Sequence, residues 1–352
     1  MPQLSSFVAA GLLLAAAAQA QPSQHSLPDS LAAPGTPTLV PRSGGAGGNV
    51  FGEGVVSDWQ GNIYSNEMDQ SNRDMQLKAG QDTSKPWRQA TDNPNGMWLD
   101  SKNNIIICQT RAIVRVKAGA TFDGKNDTLW KYPSGGQDIN DVTGDGSDNL
   151  FFTNYSGNTV YFRNASTGET KSVLTGRPEP NGIEWDYDRK VLYVNEYQAG
   201  TVAAYDVAAD YTLSARKDFA SVPSADGICL DSLGNVYIVA GGQSVQVYSP
   251  SMKKLGEIPI PNQSLTNLDF GGADFKTLFM VTNKGLYKLP MKVRGYKKGQ
   301  PSTVSLAWPG RSPRAAARDR LPAAIFRADG RRIAFPFKEV GGGALPLLIP
   351  GK

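Results

Sequence analysis

Six oxygen-bearing side chains recur at one position of a repeated sequence pattern, and together they could bind a metal ion. They are Glu53, Asn95, Asn140, Asn181, Asp226 and Asn267. Each lies 10 or 11 residues before the first apolar residue of a strand-like run. Carboxylate and amide oxygens are hard ligands that suit a cation with about six to eight oxygens around it, and two carboxylates balance a divalent charge. The set therefore predicts a Ca²⁺ site, with Mg²⁺, Mn²⁺ or Zn²⁺ as alternatives.

Glycine follows four of the six residues, at positions 54, 96, 182 and 227. Because glycine has no Cβ, it would let neighbouring backbones come close to a bound group. Asn-Gly and Asp-Gly are also common turn sequences, which is the alternative explanation for any one of them. A turn does not require the glutamate at position 53, however, and all six positions carry a side-chain oxygen. The complete set favours ion binding over six unrelated turns.

Several other kinds of catalytic site are excluded by the scarcity of histidine and cysteine. The chain has one histidine, His25, in a Pro- and Ser-rich leader that we expect to be unstructured. This excludes a Ser-His-Asp triad, a Cys-His pair and a His-ligated zinc or copper site in the folded part. The two cysteines, Cys108 and Cys229, lie in apolar strand-like runs, and we expect isolated buried thiols, although export would permit a disulfide.

The net charge of +4 hides an uneven distribution. Residues 291–352 carry 13 Lys or Arg against 3 Asp or Glu, which leaves 23 basic and 29 acidic side chains in the first 290 residues. A net positive charge would normally suggest nucleic acid or an anionic membrane as a partner. Here the body is mildly acidic, so we do not expect a nucleic-acid partner.

A repeat of about 43 residues organises the body of the chain and positions the six polar residues. The apolar residues that align the copies are Ile63, Ile105, Leu150, Leu192, Val236 and Leu278. The intervals between them are 42, 45, 42, 44 and 42 residues. A β-rich repeat of this length is typical of a propeller blade. The sequence therefore predicts an all-β fold, a six-bladed β-propeller with four-stranded antiparallel blades, over residues 48–294.

In a propeller the innermost strands line a central channel, so the six polar residues would form a ring at one mouth of it. The last repeat ends after its third strand. We predict that residues 38–42 supply the missing outer strand and close the ring, which would remove an open sheet edge. The acidic stretch from Asp141 to Asp148 lacks the spacing of an EF-hand loop and is interpreted as a hairpin turn.

The two ends of the chain do not follow the repeat. Residues 1–20 contain a 12-residue apolar run and an Ala-Gln-Ala cleavage pattern, which predict a signal peptide and a secreted or periplasmic protein. Residues 21–47 are interpreted as a Pro-, Ser- and Gly-rich linker, and residues 295–352 as a basic, disordered tail. No other segment is long and apolar enough to span a membrane. Nothing in the sequence indicates an oligomeric state.

The ordered motifs of the repeat resemble a known family. They are Glu-Gly-x-x-x-Asp from position 53, Asn-Asp-Val at 140–142, Pro-Asn-Gly-Ile-Glu-Trp at 180–185, Ala-Asp-Gly-Ile-Cys-Leu-Asp at 225–231 and Thr-Asn-Leu-Asp-Phe-Gly-Gly-Ala-Asp-x-Lys-Thr-Leu at 266–278. This set is similar to the gluconolactonase, senescence-marker-protein (regucalcin) and luciferin-regenerating-enzyme family. The resemblance implies a six-bladed propeller with a divalent ion in its channel and hydrolysis of lactones or related esters.

The resemblance also implies roles for individual residues. The positions that match the family's metal ligands are Glu53, Asn140, Asn181 and Asp226. Asp226 also matches the proposed general base, and the residues expected to line the substrate pocket are Asn95, Asp138, Asp141 and Asn267. Position 138 departs from the family, because its sugar-lactone hydrolases often carry an arginine there. A carboxylate at this position would repel an acidic sugar product.

Two hypotheses of different classes follow. As an enzyme, the protein would use the ion to polarise a lactone carbonyl while Asp226 accepts a proton from water. As a binding platform, it would hold the ion only to stabilise the propeller. A strictosidine-synthase-like or paraoxonase-like propeller is a third possibility, although the paraoxonase type relies on histidines. Calcium-dependent turnover of lactones discriminates the enzyme from the platform.

Overall fold

The computed structural model describes residues 23–43, 51–68, 72–89, 92–119, 125–133, 138–296 and 298–299. The predicted signal peptide at residues 1–20 lies outside the described residues, so export stays a prediction. Nearly all of the predicted basic tail lies outside them as well. Within the described ranges, no helix is long and apolar enough to cross a membrane.

Among the described residues, 24 strands form six antiparallel sheets of four. The inner strands of blades 1 to 6 are β2 (Gly52–Ser57), β6 (Met97–Leu99), β10 (Ile139–Gly144), β14 (Pro180–Asp186), β18 (Ala225–Leu230) and β22 (Asn267–Gly271). The second strands are β3 (Ile63–Glu67), β7 (Asn104–Gln109), β11 (Leu150–Asn154), β15 (Val191–Glu196), β19 (Val236–Ala240) and β23 (Thr277–Thr282). The third strands are β4 (Arg73–Leu77), β8 (Ala112–Lys117), β12 (Thr159–Arg163), β16 (Thr201–Asp206), β20 (Ser244–Tyr248) and β24 (Gly285–Pro290). The outer strands are β5 (Lys85–Gln89), β9 (Asp127–Lys131), β13 (Thr170–Thr175), β17 (Lys217–Ser221), β21 (Lys254–Pro259) and, for blade 6, β1 (Thr38–Leu39).

The sheets close into a ring around a channel. Each inner strand contacts the inner strand of the next blade, and β22 contacts β2, so the order is cyclic. The outer strand of blade 6 comes from the other end of the chain, where Thr38 pairs with Lys288 and Leu39 with Tyr287. The prediction of a six-bladed propeller closed by its N-terminal segment is therefore confirmed.

Apolar residues of the strands pack between neighbouring blades. In one cluster, Ile105, Ile107 and Val114 of blade 2 are buried with Val56 and Tyr64 of blade 1. Second strands such as β7 and β19 are buried along nearly their whole length, and their sequences are mostly apolar instead of alternating. Complete burial of one such side chain stabilises the fold by about 1.5–3 kcal/mol.

Hairpins that join inner to second strands define what we call the far end of the channel, and a buried aspartate organises most of them. In blade 1, Asp58 Oδ1 accepts hydrogen bonds from the N–H groups of Gln60 (3.0 Å) and Asn62 (2.9 Å). Its Oδ2 accepts from Asn62 Nδ2 (2.7 Å) and Tyr64 Oη (3.1 Å). Asp145 does the same in blade 3, so Asp145 and Asp148 lie in a hairpin turn as predicted, whereas Asp141 lies in inner strand β10.

The interpretation of residues 21–47 as a linker is wrong for residues 23–43. Leu27, Leu31 and Ala32 are buried in an apolar cluster with residues of blades 5 and 6. The Pro- and Ser-rich composition concealed this, because three apolar side chains are enough to bury so short a segment. The described part of the segment therefore belongs to the propeller.

His25 belongs to this packed segment and is 6% exposed, which corrects its assignment to an unstructured leader. Its Nε2 donates to Ala33 O at 2.8 Å, and its Nδ1 accepts from Leu27 N at 3.2 Å. The neighbouring Ser26 N donates to Glu257 O of β21. Since β21 is an outer strand, the histidine lies on the side of its blade away from the channel, and histidine chemistry at the channel remains excluded.

The predicted propeller boundary at residue 294 is too early. Gly295 N donates to Phe275 O at 2.9 Å, and Tyr296 N donates to Leu230 O at 2.9 Å. Both residues are buried, as is Gly299. The packed part of the chain therefore continues to at least residue 299.

Candidate active site

The six polar residues lie at the end of the channel where the inner strands begin, which we call the rim. Five of them lie within inner strands, and Asn95 lies two residues before β6. Asp226 is half-buried, whereas the other five are no more than 9% exposed. The repeat therefore brings these residues to one mouth of the channel.

A β-bulge occurs at each of the four residues that match the family's metal ligands. In blade 4, Asn181 and Gly182 together face one residue of the second strand, Asn195. The same two-against-one pairing occurs at Glu53 in β2, Asn140 in β10 and Asp226 in β18. Bulges redirect side chains and are frequent next to active sites. The irregularity is thus built into the four predicted ligand positions.

The two remaining rim residues differ from each other. In blade 2, Asn95 N donates to Cys108 O at 2.8 Å and Cys108 N donates to Gly96 O at 2.9 Å, which is a comparable bulge just before β6. In blade 6, Asn267 pairs regularly with Val281. Its Oδ1 accepts from Leu268 N at 2.8 Å, so this amide already has a partner in its own backbone.

Side chains of the second strands fix the bulges of blades 1, 3 and 4 to the next blade. Asn66 Oδ1 accepts from Glu53 N at 2.9 Å, while Asn66 Nδ2 donates to Asn95 O at 2.6 Å. Thr153 Oγ1 donates in the same way to Asn181 O at 2.7 Å. Sequence reasoning missed these side chains, although each follows the repeat's alignment residue by three positions. They hold the rim backbone in place without contributing to its charge.

The glycines beside the rim residues provide close contact between blades. A Cβ at Gly182 would overlap Asp226 O, to which Asn195 Nδ2 donates a hydrogen bond. A Cβ at Gly96 would lie 2.8 Å from Asn140 O. We expected these glycines to let neighbouring backbones come close to a bound group, and the structure shows the close approach of the neighbouring blade's backbone.

The carboxylates of the rim interact electrostatically with one another. Burial raises the pKa of Glu53 well above its usual range, and the charges of Asp226, Asp141 and Asp138 raise it further. Burial also raises the pKa of Asp226, and Asp141 adds to the effect, while a hydrogen bond from Asn181 opposes it. Asp226 therefore lies close enough to Glu53 to act on its charge, and a cation bound near both carboxylates would relieve this repulsion.

Asp141 and Asp138 extend this acidic region. Asp141 is buried, and burial raises its pKa to about 6, although its carboxylate accepts hydrogen bonds from Val142 N (2.9 Å) and Ile183 N (3.3 Å). Asp138 is half-buried, and burial raises its pKa against a hydrogen bond from Ser156. Both residues thus lie close enough to Glu53 to act on its charge, and their place in a substrate pocket stays a prediction.

The donor set fits a hard cation. Asn95 Oδ1 is buried without a hydrogen-bond partner among the described residues, so it has acceptor capacity to spare. No group of three or more His, Cys, Asp or Glu side chains forms a metal cluster in the described ranges. The predicted set is of a different kind, with two carboxylates and two amides. Such oxygens suit Ca²⁺ better than a softer metal.

A cleft of about 540 Å³ opens beside Asp226, between blades 5 and 6. Its lining residues are Tyr197, Ser224, Asp226, Gly241, Gly242, Gln243, Asn262, Ser264, Leu265 and Thr266. Asp226 is the one charged side chain among them. A cleft lined by amides, hydroxyls and one aromatic ring suits a neutral, hydrogen-bonding ligand.

Two tyrosines and a glutamate near Asp226 were not foreseen from the sequence. Tyr155 Oη donates to Glu179 Oε2 at 2.8 Å, and its ring meets that of Tyr197 edge-on with centroids 6.0 Å apart. Burial and Glu179 raise the pKa of Tyr155, and Asp226 contributes to the shift. The tyrosines directly follow the second strands of blades 3 and 4, and Glu179 lies two residues before Asn181. Tyr155 and Tyr197 each come five residues after the alignment residue of their repeat, which is the signal that could have found them.

Backbone strain accompanies the rim. The residue two positions before the rim residue has positive φ in three blades: Asn93 (33°), Glu179 (52°) and Ser224 (44°). Asp138 takes the corresponding place in blade 3. A residue other than glycine in this conformation costs about 1–3 kcal/mol, and such residues occur at functional sites as well as in turns. The strain therefore agrees with a functional rim.

Comparison with known proteins gives the same family as the motifs. The SMP-30/Gluconolactonase/LRE-like region matches residues 51–284. Pentonolactonase XacC of Haloferax volcanii is 29% identical over 181 residues, which are 49% of this chain and 62% of that protein. The chain thus spans less than two thirds of the length of this relative.

Solved structures share the fold. A gluconolactonase of Xanthomonas campestris, XC5397, superposes with a TM-score of 0.67 at 21% identity, over 78% of this chain and 96% of that one. A regucalcin of Agrobacterium tumefaciens, described as a calcium-binding protein, gives 0.62 at 14% identity, over 71% and 93%. With the family match covering residues 51–284, the chain belongs to the SMP-30/Gluconolactonase/LRE-like family.

Proposed function

We propose that this protein is a metal-dependent hydrolase of lactones or related esters, with Ca²⁺ as its ion. The observation that carries the proposal is the rim, where two interacting carboxylates, Glu53 and Asp226, stand on bulged strands beside two amides. The pentonolactonase and gluconolactonase named above support the reaction class, and the calcium-binding regucalcin supports the ion.

Four side chains would hold the ion: Glu53, Asn140, Asn181 and Asp226. When bound, the ion would supply positive charge to polarise the carbonyl oxygen of the ester. Glu53 and Asp226 balance the charge of a divalent ion. The Asn181 side chain hydrogen-bonds to Asp226 and orients its carboxylate.

Asp226 would act as the general base. It is half-buried and lines the 540 Å³ cleft, so one carboxylate oxygen can face a water molecule there. Attack of that water forms a bond to the carbonyl carbon, and its proton passes to Asp226. The ring C–O bond then breaks, and the proton returns to the departing alkoxide. No covalent intermediate is needed.

The substrate class is a neutral lactone. The cleft beside Asp226 offers amide and hydroxyl groups and no cation among its lining residues. Asp138 stands where related sugar-lactone hydrolases often carry an arginine, and its charge disfavours an anionic substrate. The same repulsion acts on the newly formed carboxylate and favours release of the hydroxy acid.

The test is turnover of a panel of neutral lactones with Ca²⁺ and with a chelator. We expect turnover in Ca²⁺, loss in chelator, and loss in Asp226→Asn and Glu53→Gln variants whose melting curves remain cooperative. The matched control is Asp210→Asn, an exposed acid on the β16–β17 loop. Absence of turnover on every lactone and ester, with Ca²⁺ bound and the fold intact, would favour the binding platform instead.

A further inference from the structure

The segment after blade 6 crosses the far end of the channel. Gly295 forms a bridge with Asp231 of blade 5, and Tyr296 Oη accepts from Asp188 N of blade 4 at 2.9 Å. At Gly299, whose φ is +64°, a Cβ would overlap the carbonyl oxygens of Leu99 and Asp100 in blade 2. The segment thus contacts blades on opposite sides of the channel.

A second level of residues lies inside the channel, below the rim. It is formed by the residue three positions after the rim residue in the bulged blades, and two positions after it in blade 6, where the bulge is missing. Its polar members are Thr143, Glu184, Cys229 and Asp269. Thr143 Oγ1 donates to Glu184 Oε1 at 3.3 Å. This level therefore holds two buried carboxylates, at 1% and 5% exposure.

Lys298 projects into this level from the crossing segment. Its Nζ lies 3.2 Å from Asp269 Oδ1 and 3.4 Å from Glu184 Oε2. It also lies 5.0 Å from the centroid of the Trp98 ring. The side chain is 11% exposed, so three different blades surround the ammonium group. Burial lowers the pKa of Lys298, but Asp269 and Glu184 outweigh this effect and the net shift is upward.

We propose that Lys298 is the resident cation of this second level, held there by the protein chain in the place that a metal ion would otherwise take. By contrast, no salt bridge joins a side-chain cation to the rim acids Glu53 and Asp226 among the described residues. The rim would thus take its positive charge from a metal ion bound from solution, whereas the second level takes it from the side chain of Lys298.

The proposal does not depend on lactone hydrolysis. It concerns the charge of Glu184 and Asp269. Its first test compares the Ca²⁺ bound by the wild type with that bound by a Lys298 variant, so any Ca²⁺ at the rim cancels in the difference. Lys298→Met keeps the length of the side chain and removes its charge. Two carboxylates are then buried with their cation missing, which is strongly destabilising.

We expect Lys298→Met to lower the melting temperature by about 10 °C in chelator. Addition of millimolar Ca²⁺ should recover at least half of this loss, and metal analysis should find one more Ca²⁺ per chain than in the wild type. Lys292→Met, at an exposed position a few residues earlier, is the matched control and should change neither quantity.

A triple variant separates charge from packing. Lys298→Met with Glu184→Gln and Asp269→Asn removes the cation and both its partners, so we expect it to melt within about 3 °C of the wild type and to gain no Ca²⁺. The proposal is overturned if Lys298→Met gains no Ca²⁺, or if the triple variant is as unstable as the single one.

A second measurement keeps the proposal testable should Lys298→Met not fold. In the native full-length protein, an amine-acylating reagent should modify Lys298 at least tenfold more slowly than Lys292, as followed by peptide mass spectrometry. Equal rates would show that Lys298 is not held in the channel and would overturn the proposal.

Discussion

The two ends of the inner strands carry the same kind of side chain in opposite electrostatic conditions. At the far end, Asp58 accepts four hydrogen bonds from its own hairpin. Asp231 accepts four as well, from Leu233, Asn235 and Tyr237. At the rim, the negative charge of Asp226 instead repels that of Glu53 and raises the pKa of Glu53.

The difference teaches what separates a structural acid from a functional one in this fold. Burial alone does not separate them, since Asp58 is 0% exposed and Glu53 only 8%. Their partners distinguish them. Asp58 accepts four hydrogen bonds from its hairpin, whereas Glu53 lies near other acids whose repulsion a bound cation would relieve. Substitutions at the two ends should therefore have opposite effects on stability and activity.

The largest effect is expected for Asp226→Asn. Without a base, turnover of the best lactone should fall by about 10³-fold. The metal-free protein should become more stable, with a melting temperature several degrees higher, because one of the repelling carboxylates is lost. Steady-state kinetics and thermal melting in chelator measure the two quantities. Turnover within tenfold of the wild type would remove Asp226 from the chemistry.

Asp58→Ala should show the reverse pattern. Four hydrogen bonds are lost and the buried hairpin amides are left unpaired, which should cost about 3 kcal/mol, or roughly 6–12 °C in melting temperature. Turnover per folded molecule should stay within about twofold, because the rim is at the other end of the strand. A large loss of turnover in fully folded protein would contradict the separation of the two ends.

The pH dependence of metal-free stability should report the rim. The pKa of Asp141 is raised by burial to about 6, so the folded chain holds this proton more tightly than the unfolded chain. Stability without metal should therefore fall as the pH rises from about 4 to about 6, and the penalty should persist above pH 6. We expect the melting temperature in chelator to be about 5 °C lower at pH 7.5 than at pH 5.

Ca²⁺ should reverse this trend, because it compensates the same charges. The increase in melting temperature on adding Ca²⁺ should be larger at pH 7.5 than at pH 5. Asp141→Asn should flatten the dependence measured in chelator. An increase in metal-free stability with rising pH over this range would contradict the raised pKa.

The repeat made most of the fold predictable. Six aligned apolar residues gave the blade number, and the short last repeat gave the closing strand at residues 38–42. The rim followed from the same alignment, because equivalent positions in a propeller lie at one height in the channel. Regular spacing in the sequence thus predicts which residues lie at the same height in the channel.

The parts that could not be predicted lie where the chain departs from the repeat. Leu27 and Leu31 bury the N-terminal segment by contacts with blades 5 and 6, far away in sequence. Lys298 lies in a stretch whose composition suggests disorder, and its partners are more than 25 residues away along the chain. Asp269 enters its level only because β22 lacks a bulge, which no sequence pattern announced.

The smallest effect is expected for substitution of Asp138, which is neither one of the six rim residues nor part of a far-end hairpin. Asp138→Asn removes one half-buried negative charge from the rim. For lactones that carry a carboxylate, kcat/KM should rise by about tenfold, because one unit of repulsion near the substrate is worth about 1–1.4 kcal/mol. For neutral lactones, kcat/KM should stay within about twofold. The measured quantity is the ratio of the two, in wild type and variant at low ionic strength.

Asp210→Asn removes an equal charge from the exposed far-end loop and should leave this ratio unchanged, since solvent and distance screen it. Added salt should shrink the effect of Asp138→Asn, because the substrate approaches through water. If Asp138→Asn changed kcat/KM equally for charged and neutral lactones, the carboxylate would support the structure of the site and would not select its substrate. Selection by charge at this one position would instead explain how a shared rim can serve different lactones, with the residue two places before the bulge setting the preference.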